Sequence, residues 1–237
     1  MTLAMSAENE FKLRKIVIAG GGTAGWMAAA ALSKTLGELV DIKLIESEQI
    51  GTVGVGEATI PPIITFHRML DIPENEFMRE TQATFKLGIS FENWRVDGEK
   101  YIHSFGTTGK DHWTSGFQHF WLNGLKRGHK TSYDDYCLEL KAALDNKFSH
   151  LPNEGMSYAF HLDSSRYAKF LRRFSEKNGV ERVEGKINKV NLNGETGFIS
   201  SLDIDDGTTL EGDIFIDCTG FRGLLIGEAL GVEFEDW

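Results

Sequence analysis

Residues Ile16-Val17-Ile18-Ala19-Gly20-Gly21-Gly22-Thr23-Ala24-Gly25 decide the fold of this chain. A β-branched apolar run enters G-x-G-x-x-G, with Gly20, Gly22 and Gly25 in the glycine positions. Apolar, helix-forming residues Trp26 to Leu32 follow. A strand, a tight turn and a helix form the context in which this pattern reads as a dinucleotide site. Gly20 permits the turn, Gly22 lets the backbone approach a pyrophosphate, and Gly25 lets the helix pack closely on the strand. Thr23 and Ala24 open that helix, whose first N–H groups and partial positive charge suit phosphate oxygens. Asp41 to Ile45 alternate towards a second strand, with Glu46 at its end. Glu46 lies about twenty residues past the last glycine, where an acid binds a ribose hydroxyl. Alone, Glu46 reads as a solvated strand-end carboxylate; behind this turn it reads as a ribose ligand. The turn does not separate FAD from NAD.

Composition narrows the class. The 237 residues suffice for one large domain or two small ones, and 41% apolar with 25% charged residues is ordinary globular usage. Four prolines argue against long disordered linkers. A net charge of −10 disfavours nucleic acid or an anionic membrane as partner. No apolar run is long enough to span a bilayer. Met1 to Glu10 are polar and acidic, unlike a secretory signal. Cys137 and Cys218 form no paired framework, which fits a reducing cytoplasm. The seven histidines lack metal spacing. His112 and His119 share a helical face at most, with no third ligand, so no metal is expected.

Periodicity places Lys15–Gly20 as a strand, Thr23–Leu36 as a helix and Val40–Glu46 as a second strand. A glycine-rich loop runs from Gly51 to Pro61, and Ile63–Leu70 reads as a short helix. Glu74–Leu87 has a fair helical spacing of apolar residues, and Ile89–Val96 reads as extended. Residues 98–132 read as irregular loops with a short helix near Gln118–Leu125. Ser132–Asn146 reads as a helix capped by Ser132 or Thr131. Asp163–Asn178 has a capping acid, an apolar face of Tyr167, Phe170, Leu171 and Phe174, and Gly179 to stop it. Four alternating runs follow at Val180–Val183, Lys186–Leu192, Phe198–Ile204 and Thr208–Leu210, with Asp206-Gly207 as a hairpin signal between the last two. Ile214–Ile216 is a buried strand, and Gly223–Leu230 begins another helix. The expected fold class is α/β, with a buried parallel sheet and a small antiparallel meander. One module over 1–237 is expected, with nucleotide-binding parts 14–60 and 160–237 and an inserted substrate-side region 61–159.

Five segments in order carry a family resemblance: Gly20–Met27 (GGGTAGWM), Val53–Pro61 (VGVGEATIP), Phe85-Lys86 followed by Ile89–Trp94 (ISFENW), His103–Gly106 (HSFG) and Asp213–Gly223 (DIFIDCTGFRG). Together they make the chain similar to the flavin-dependent halogenases of the tryptophan halogenase family. The glycine turn is common among flavoproteins; GEATIP followed by Phe-Lys is far more specific. The resemblance implies the Rossmann-like FAD fold of the glutathione-reductase type. It implies FAD used as FADH2 from a separate flavin reductase, with O2 and chloride or bromide as co-substrates. Hypohalous acid would then reach a small, electron-rich aromatic substrate: tryptophan, an indole or a phenol.

The resemblance also assigns residues. Lys86 matches the lysine that holds hypohalous acid or becomes a haloamine; its spacing alone reads as a solvated helix lysine. Ala58 and Thr59 are expected at the flavin, and Val183 at adenine through its backbone. Asp217 to Gly220 should bring the returning strand's end to the cofactor. His103 and Phe105 match positions against the arene, or are ordinary packing. Glu57 reads equally as a loop-bonding carboxylate, and Arg222 as a phosphate partner or a cap. The family's chains are longer, and its W-x-W-x-I-P signature and later glutamate have no match here, so the chain is expected to be an N-terminal portion. A homodimer is one expected assembly, and a complementing C-terminal polypeptide, which would complete the chain, is the other. Two rival readings are a flavin monooxygenase that hydroxylates an arene and a non-catalytic flavin-binding fragment.

Overall fold

The computed structural model describes residues 13–51, 56–150 and 155–235. Met1 to Glu10 and the first part of the Val53–Pro61 loop lie outside the described residues. In chain order the strands are β1 (Lys15–Ala19), β2 (Asp41–Glu46), β3 (Glu57–Ala58), β4 (Thr84–Lys86), β5 (Gly88–Glu92), β6 (Lys100–Ser104), β7 (Ala159–Leu162), β8 (Glu181–Glu184), β9 (Ile187–Leu192), β10 (Ile199–Ile204), β11 (Thr209–Glu211) and β12 (Ile214–Asp217). The helices are α1 (Thr23–Leu36), α2 (Pro62–Met69), α3 (Glu74–Thr81), α4 (Phe117–Lys126), α5 (Leu138–Leu144) and α6 (Ser164–Lys177). Two compact units result, one of residues 1–56 with 163–237 and one of residues 57–162. Strands β3 and β7 pair with each other inside the second unit.

The first unit is built on a parallel sheet in the order β12-β1-β2-β8. Its strands are parallel because long connections, not tight hairpin turns, lead from one to the next: α1 between β1 and β2, the second unit and α6 between β2 and β8, and the meander between β8 and β12. Ile16, Val17, Ile18 and Ala19 are all buried, so β1 is covered on both faces. Val17, Ala19 and Ile45 pack with Leu202, Ile204 and Leu210 of the antiparallel meander β11-β10-β9, and with Leu225. The opposite face meets α1, which packs on β1, β2 and α6. Helix α1 buries Trp26, Ala29, Ala30 and Ser33, a single stripe at helical spacing. Asp163 caps α6 by accepting the Arg166 N–H at 2.9 Å. Asp206-Gly207 turns β10 into β11, with Gly207 at φ +89°. Val180–Val183 contributes not to the meander but to β8, parallel to β2. The last expected helix is a 3-10 turn over Gly220–Arg222 and a π-helical turn over Leu224–Ala229.

The second unit corrects three expectations. Helix α3 ends at Thr81, where Gln82 adopts a left-handed φ of +54°, and Thr84–Lys86 then form a strand. Helical spacing holds only to Thr81; beyond it Ala83, Phe85 and Leu87 alternate with the period of a strand. Residues 100–104 are strand β6, paired antiparallel with β5 through a turn in which Gly98 N–H donates to Asn93 Oδ1 at 2.7 Å. The stretch Ser132–Asn146 breaks at Cys137, whose extended backbone separates a 3-10 turn (Tyr133–Tyr136) from α5. A three-stranded sheet in the order β3-β7-β4 covers α2 and α3 through Phe160, which meets Phe77 edge-on at 4.9 Å. The His67 ring lies 4.3 Å from Phe77, and burial pushes its pKa down to about 4. Among the described residues no helix is long and apolar enough to cross a membrane.

Two predictions follow from this packing. His67 is neutral when folded and binds a proton more readily when unfolded. Its share of stability is present above pH 6.5 and is lost as pH falls towards 4, up to about 3 kcal/mol. His67→Leu should therefore flatten the acid limb of a urea-unfolding pH series. At Gly25 a Cβ would drive into the Gly20 carbonyl oxygen, whereas at Gly22 it would meet nothing within 4 Å. Gly25→Ala should cost about 1–3 kcal/mol. Gly22→Ala should stay within about 0.5 kcal/mol.

Candidate functional site

Parallel pairing puts the carboxyl ends of the four strands β12, β1, β2 and β8 at one sheet edge. Ala19 registers with Ile45 and with Asp217, and Ile45 with Val183. Gly20, Glu46, Val183, Asp217 and Gly220 thus gather at the carboxyl edge, where open α/β sheets bind ligands. Gly20 sits at φ +105° with its N–H on Ile45 O at 2.9 Å. Its Cβ position is filled by the Cys218 carbonyl, so only glycine fits. Gly22 caps α1 without a side-chain hydrogen bond, and no acidic residue occupies the first turn. The first turn of α1 thus carries no acid of its own to compete for the N–H groups of Thr23, Ala24 and Gly25, which fits a bound diphosphate.

Glu46 is held from three sides. Trp26 Nε1–H donates to its Oε2 at 3.2 Å, Arg182 Nε–H donates to Oε1 at 2.5 Å, and Arg172 lies 3.5 Å from Oε1. Its side chain also rests on Gly21, which leaves no room there for a Cβ. Arg182 further pairs with Glu48 and Glu184. Burial alone would lower the Arg182 pKa, but the Glu46 hydrogen bond and the Glu46 and Glu184 charges raise it above its ordinary value.

Asp217 uses its carboxylate inside the protein. Oδ1 accepts from Thr219 Oγ1 at 2.6 Å and Thr219 N at 3.0 Å; Oδ2 accepts from Leu225 N at 2.7 Å and Ile226 N at 3.0 Å. It anchors the turn that carries Gly220, itself at φ +72° with open space on its Cβ side. Val183 packs its side chain into the core and offers only backbone to a ligand. Arg222 forms an exposed two-point pair with Glu228, both bonds at 3.0 Å.

In the second unit the register brings Ala58, Thr59, Lys86 and Phe105 together. Lys86 closes β4 opposite Ala159 and is only 7% exposed. Its Nζ donates to Thr59 O at 2.9 Å and stands 5.2 Å from the centre of the Phe105 ring. Thr59 is itself fixed: its N–H donates to Phe160 O at 2.8 Å, and its Oγ1 accepts the Phe160 N–H at 3.0 Å. No carboxylate among the described residues forms an ion pair with Lys86. Burial lowers its pKa below the ordinary lysine value. Ala58 and Thr84 both register with His161, so Ala58, Thr84, Lys86 and His161 share one face of the sheet. Burial first, and then the Lys86 charge, lowers the His161 pKa.

The other face of β4 carries Phe85, stacked on Phe148 at 3.8 Å and braced by Tyr158, whose hydroxyl donates to Glu74 at 2.5 Å. His103 lies on β6 two residues before Phe105 and lines an open cavity of about 350 Å³ with Tyr101, Ser104, Asp134 and Cys137. Among the described residues no group of three His, Cys, Asp or Glu could hold a metal ion; His112 Nδ1 lies 2.9 Å from Thr114 Oγ1. Sequence reasoning missed Arg182, the indole N–H of Trp26, and His161. Alternation around Val183 marks Arg182 as facing the other way, but nothing local pairs it with Glu46.

The tryptophan halogenase family model matches residues 15–237. The chain belongs to the tryptophan halogenase family. This family member is 41% identical to the tryptophan 7-halogenase RebH of Lentzea aerocolonigenes over 95% of its length, and 38% identical to the tryptophan 6-halogenase ThaL of Streptomyces albogriseolus. It superposes on Xcc4156, a flavin-dependent halogenase from Xanthomonas campestris, with a TM-score of 0.91 and 62% identity over 96% of the chain. BrvH, a flavin-dependent halogenase from Brevundimonas sp. BAL3, gives 0.86 and 43% over 95%. The Rossmann-like α/β fold is shared. The chain spans about half the length of the curated relatives it matches, 46% of RebH and of ThaL, and 46% of each of the two structures.

One measurement checks the Lys86 neighbourhood directly. Lys86→Met removes the second cause of the His161 shift and leaves the first. The His161 pKa should rise part of the way to 6.5 in an NMR titration of its imidazole. An unchanged value would place the amine elsewhere.

Proposed function

We propose that this chain forms the flavin-binding, oxidant-directing portion of an FAD-dependent halogenase acting on an electron-rich aromatic: tryptophan, an indole or a phenol. The observation that carries the reading is the Lys86 amine, buried with no carboxylate partner among the described residues, tied to Thr59 O and standing over the Phe105 face. Desolvation favours the neutral form of such an amine and lowers its pKa below the ordinary lysine value. Bound FAD, delivered as FADH2 by a separate flavin reductase, would supply with O2 the oxidation of chloride or bromide to hypohalous acid.

The chain's own residues divide the remaining work. Gly20, Gly22 and Gly25, with the N–H groups of Thr23 and Ala24, hold the diphosphate. Glu46 accepts a ribose hydroxyl, and the backbone of Val183 lies against adenine. Asp217 fixes the loop that presents Gly220. Ala58 and the backbone of Thr59 face the flavin ring. Lys86, as an ammonium, donates an N–H to the oxygen of hypohalous acid and orients its halogen. As a neutral amine it forms an N–halogen bond and releases water. Phe105 and His103 present aromatic faces to the arene. The partners proposed beside the reductase are a second copy of the chain or a complementing C-terminal polypeptide.

The test is turnover with flavin reductase, FAD, NADH, bromide and each arene, read by mass spectrometry beside the Lys86→Ala variant. The wild type should give brominated product and the variant at least a hundredfold less, about 3 kcal/mol of barrier, with flavin binding equal in both. A hydroxylated product that survives in Lys86→Ala would establish the monooxygenase reading. Bound flavin with no product, until a C-terminal polypeptide is added, would establish the fragment reading.

A further inference from the structure

An arginine beside the end of the second strand of a dinucleotide fold ordinarily suggests a site for a 2′-phosphate. Arg182 does not have that freedom. Its Nε is on Glu46, its terminal nitrogen on Glu48 and Glu184, and its side chain is 14% exposed. Three carboxylates already occupy the guanidinium fork and would repel a further dianion. What the arginine does instead is fix one of them. Oε1 of Glu46 is taken by Arg182, and Oε2 receives the indole N–H of Trp26, which is 1% exposed and cannot move with solvent. A carboxylate accepts about four hydrogen bonds. Oε2 therefore keeps a second acceptor position while the plane of the carboxylate is set by the buried Trp26 and the part-buried Arg182 on different elements, with Arg172 3.5 Å from Oε1.

We propose that Arg182 and Trp26 are positioning residues that aim Glu46 at a ribose hydroxyl of the adenosine half, and that the site rejects a 2′-phosphate. The proposal rests on the dinucleotide reading and adds the specificity of its ribose end. Gly21 belongs to the same device, because a Cβ there would displace Glu46. The aim is provided by a strand 136 residues away in sequence. Arg182 and Trp26 touch no part of the ligand in this arrangement; they act through the carboxylate.

Isothermal titration with ADP, 2′,3′-dideoxy-ADP and adenosine 2′,5′-bisphosphate tests this without turnover. The wild type should prefer ADP to the dideoxy nucleotide by about tenfold, one charge-assisted hydrogen bond. It should bind the 2′,5′-bisphosphate at least tenfold more weakly than ADP. Arg182→Met should bring ADP down to the dideoxy level and leave dideoxy-ADP within about twofold. Arg182→Lys should restore part of the preference. Trp26→Phe keeps a core ring, removes only the N–H, and should lower the same ratio if Arg182→Met fails to fold. A ratio retained in Arg182→Met or Trp26→Phe, or an equal loss for both nucleotides, overturns the proposal. Glu46→Ala separates the two failures. If it abolishes the preference while Arg182→Met keeps it, the positioning role alone is wrong. If Glu46→Ala also keeps it, the ribose contact itself is wrong.

Discussion

Everything at the carboxyl edge of the parallel sheet depends on one approach of backbone to backbone. Gly25 brings α1 against the Gly20 carbonyl, and Gly20 turns under the Cys218 carbonyl. Two strands and a helix are thereby brought to one point with no side chain between them. A Cβ at Gly25 would push α1 off β1, and the N–H groups of its first turn would no longer converge; a Cβ at Gly20 would push away the Cys218 turn that follows β12. The neighbouring residue Gly21 extends the constraint sideways, because its missing Cβ is the space that Glu46 occupies. Three glycines thus do three jobs at one edge. Gly22, by contrast, faces open space, which is what a phosphate-facing glycine requires.

The second unit relies on a different balance. A buried ammonium is costly unless paired, and the usual remedy is a carboxylate. Lys86 has a carbonyl and an aromatic face instead. Both stabilise the cation less than an ion pair would, and burial lowers the pKa of the amine. The polypeptide holds the amine in place from the opposite face. Phe85 is stacked on Phe148 and braced by Tyr158, so β4 cannot roll and Lys86 cannot swing to solvent without breaking that stack.

How much of this was legible in the sequence follows from how local each feature is. The glycine turn, α1, the capped helix α6 and the Asp206-Gly207 hairpin lie within about fifteen residues each, and pattern alone placed them. The second unit was harder. Apolar spacing over Glu74–Thr81 is helical and ran on into Ala83–Leu87, because one left-handed residue, Gln82, carries the change and asparagine or glycine would have signalled it better. That single miss put Lys86 on a helix rather than in a strand. Strand β6 was hidden by the polar residues Lys100, His103 and Ser104, since its hairpin is covered on only one side. Trp26 read as one more apolar residue of α1, and its N–H partner lies 20 residues on. The pairing of Arg182 with Glu46 has no local signal at all.

Glu46 shows how a legible residue can owe its chemistry to illegible ones. A carboxylate at the end of β2 could swing freely, and a free rotamer would sacrifice part of any hydrogen bond it made to a ligand, since ordering a glutamate side chain costs up to about 2 kcal/mol. Trp26 and Arg182 meet that cost during folding, before a ligand arrives. The position of the acid in the sequence identifies the site. Its fixed orientation, set by an indole and a guanidinium from two other elements, is what would let one hydroxyl count in binding.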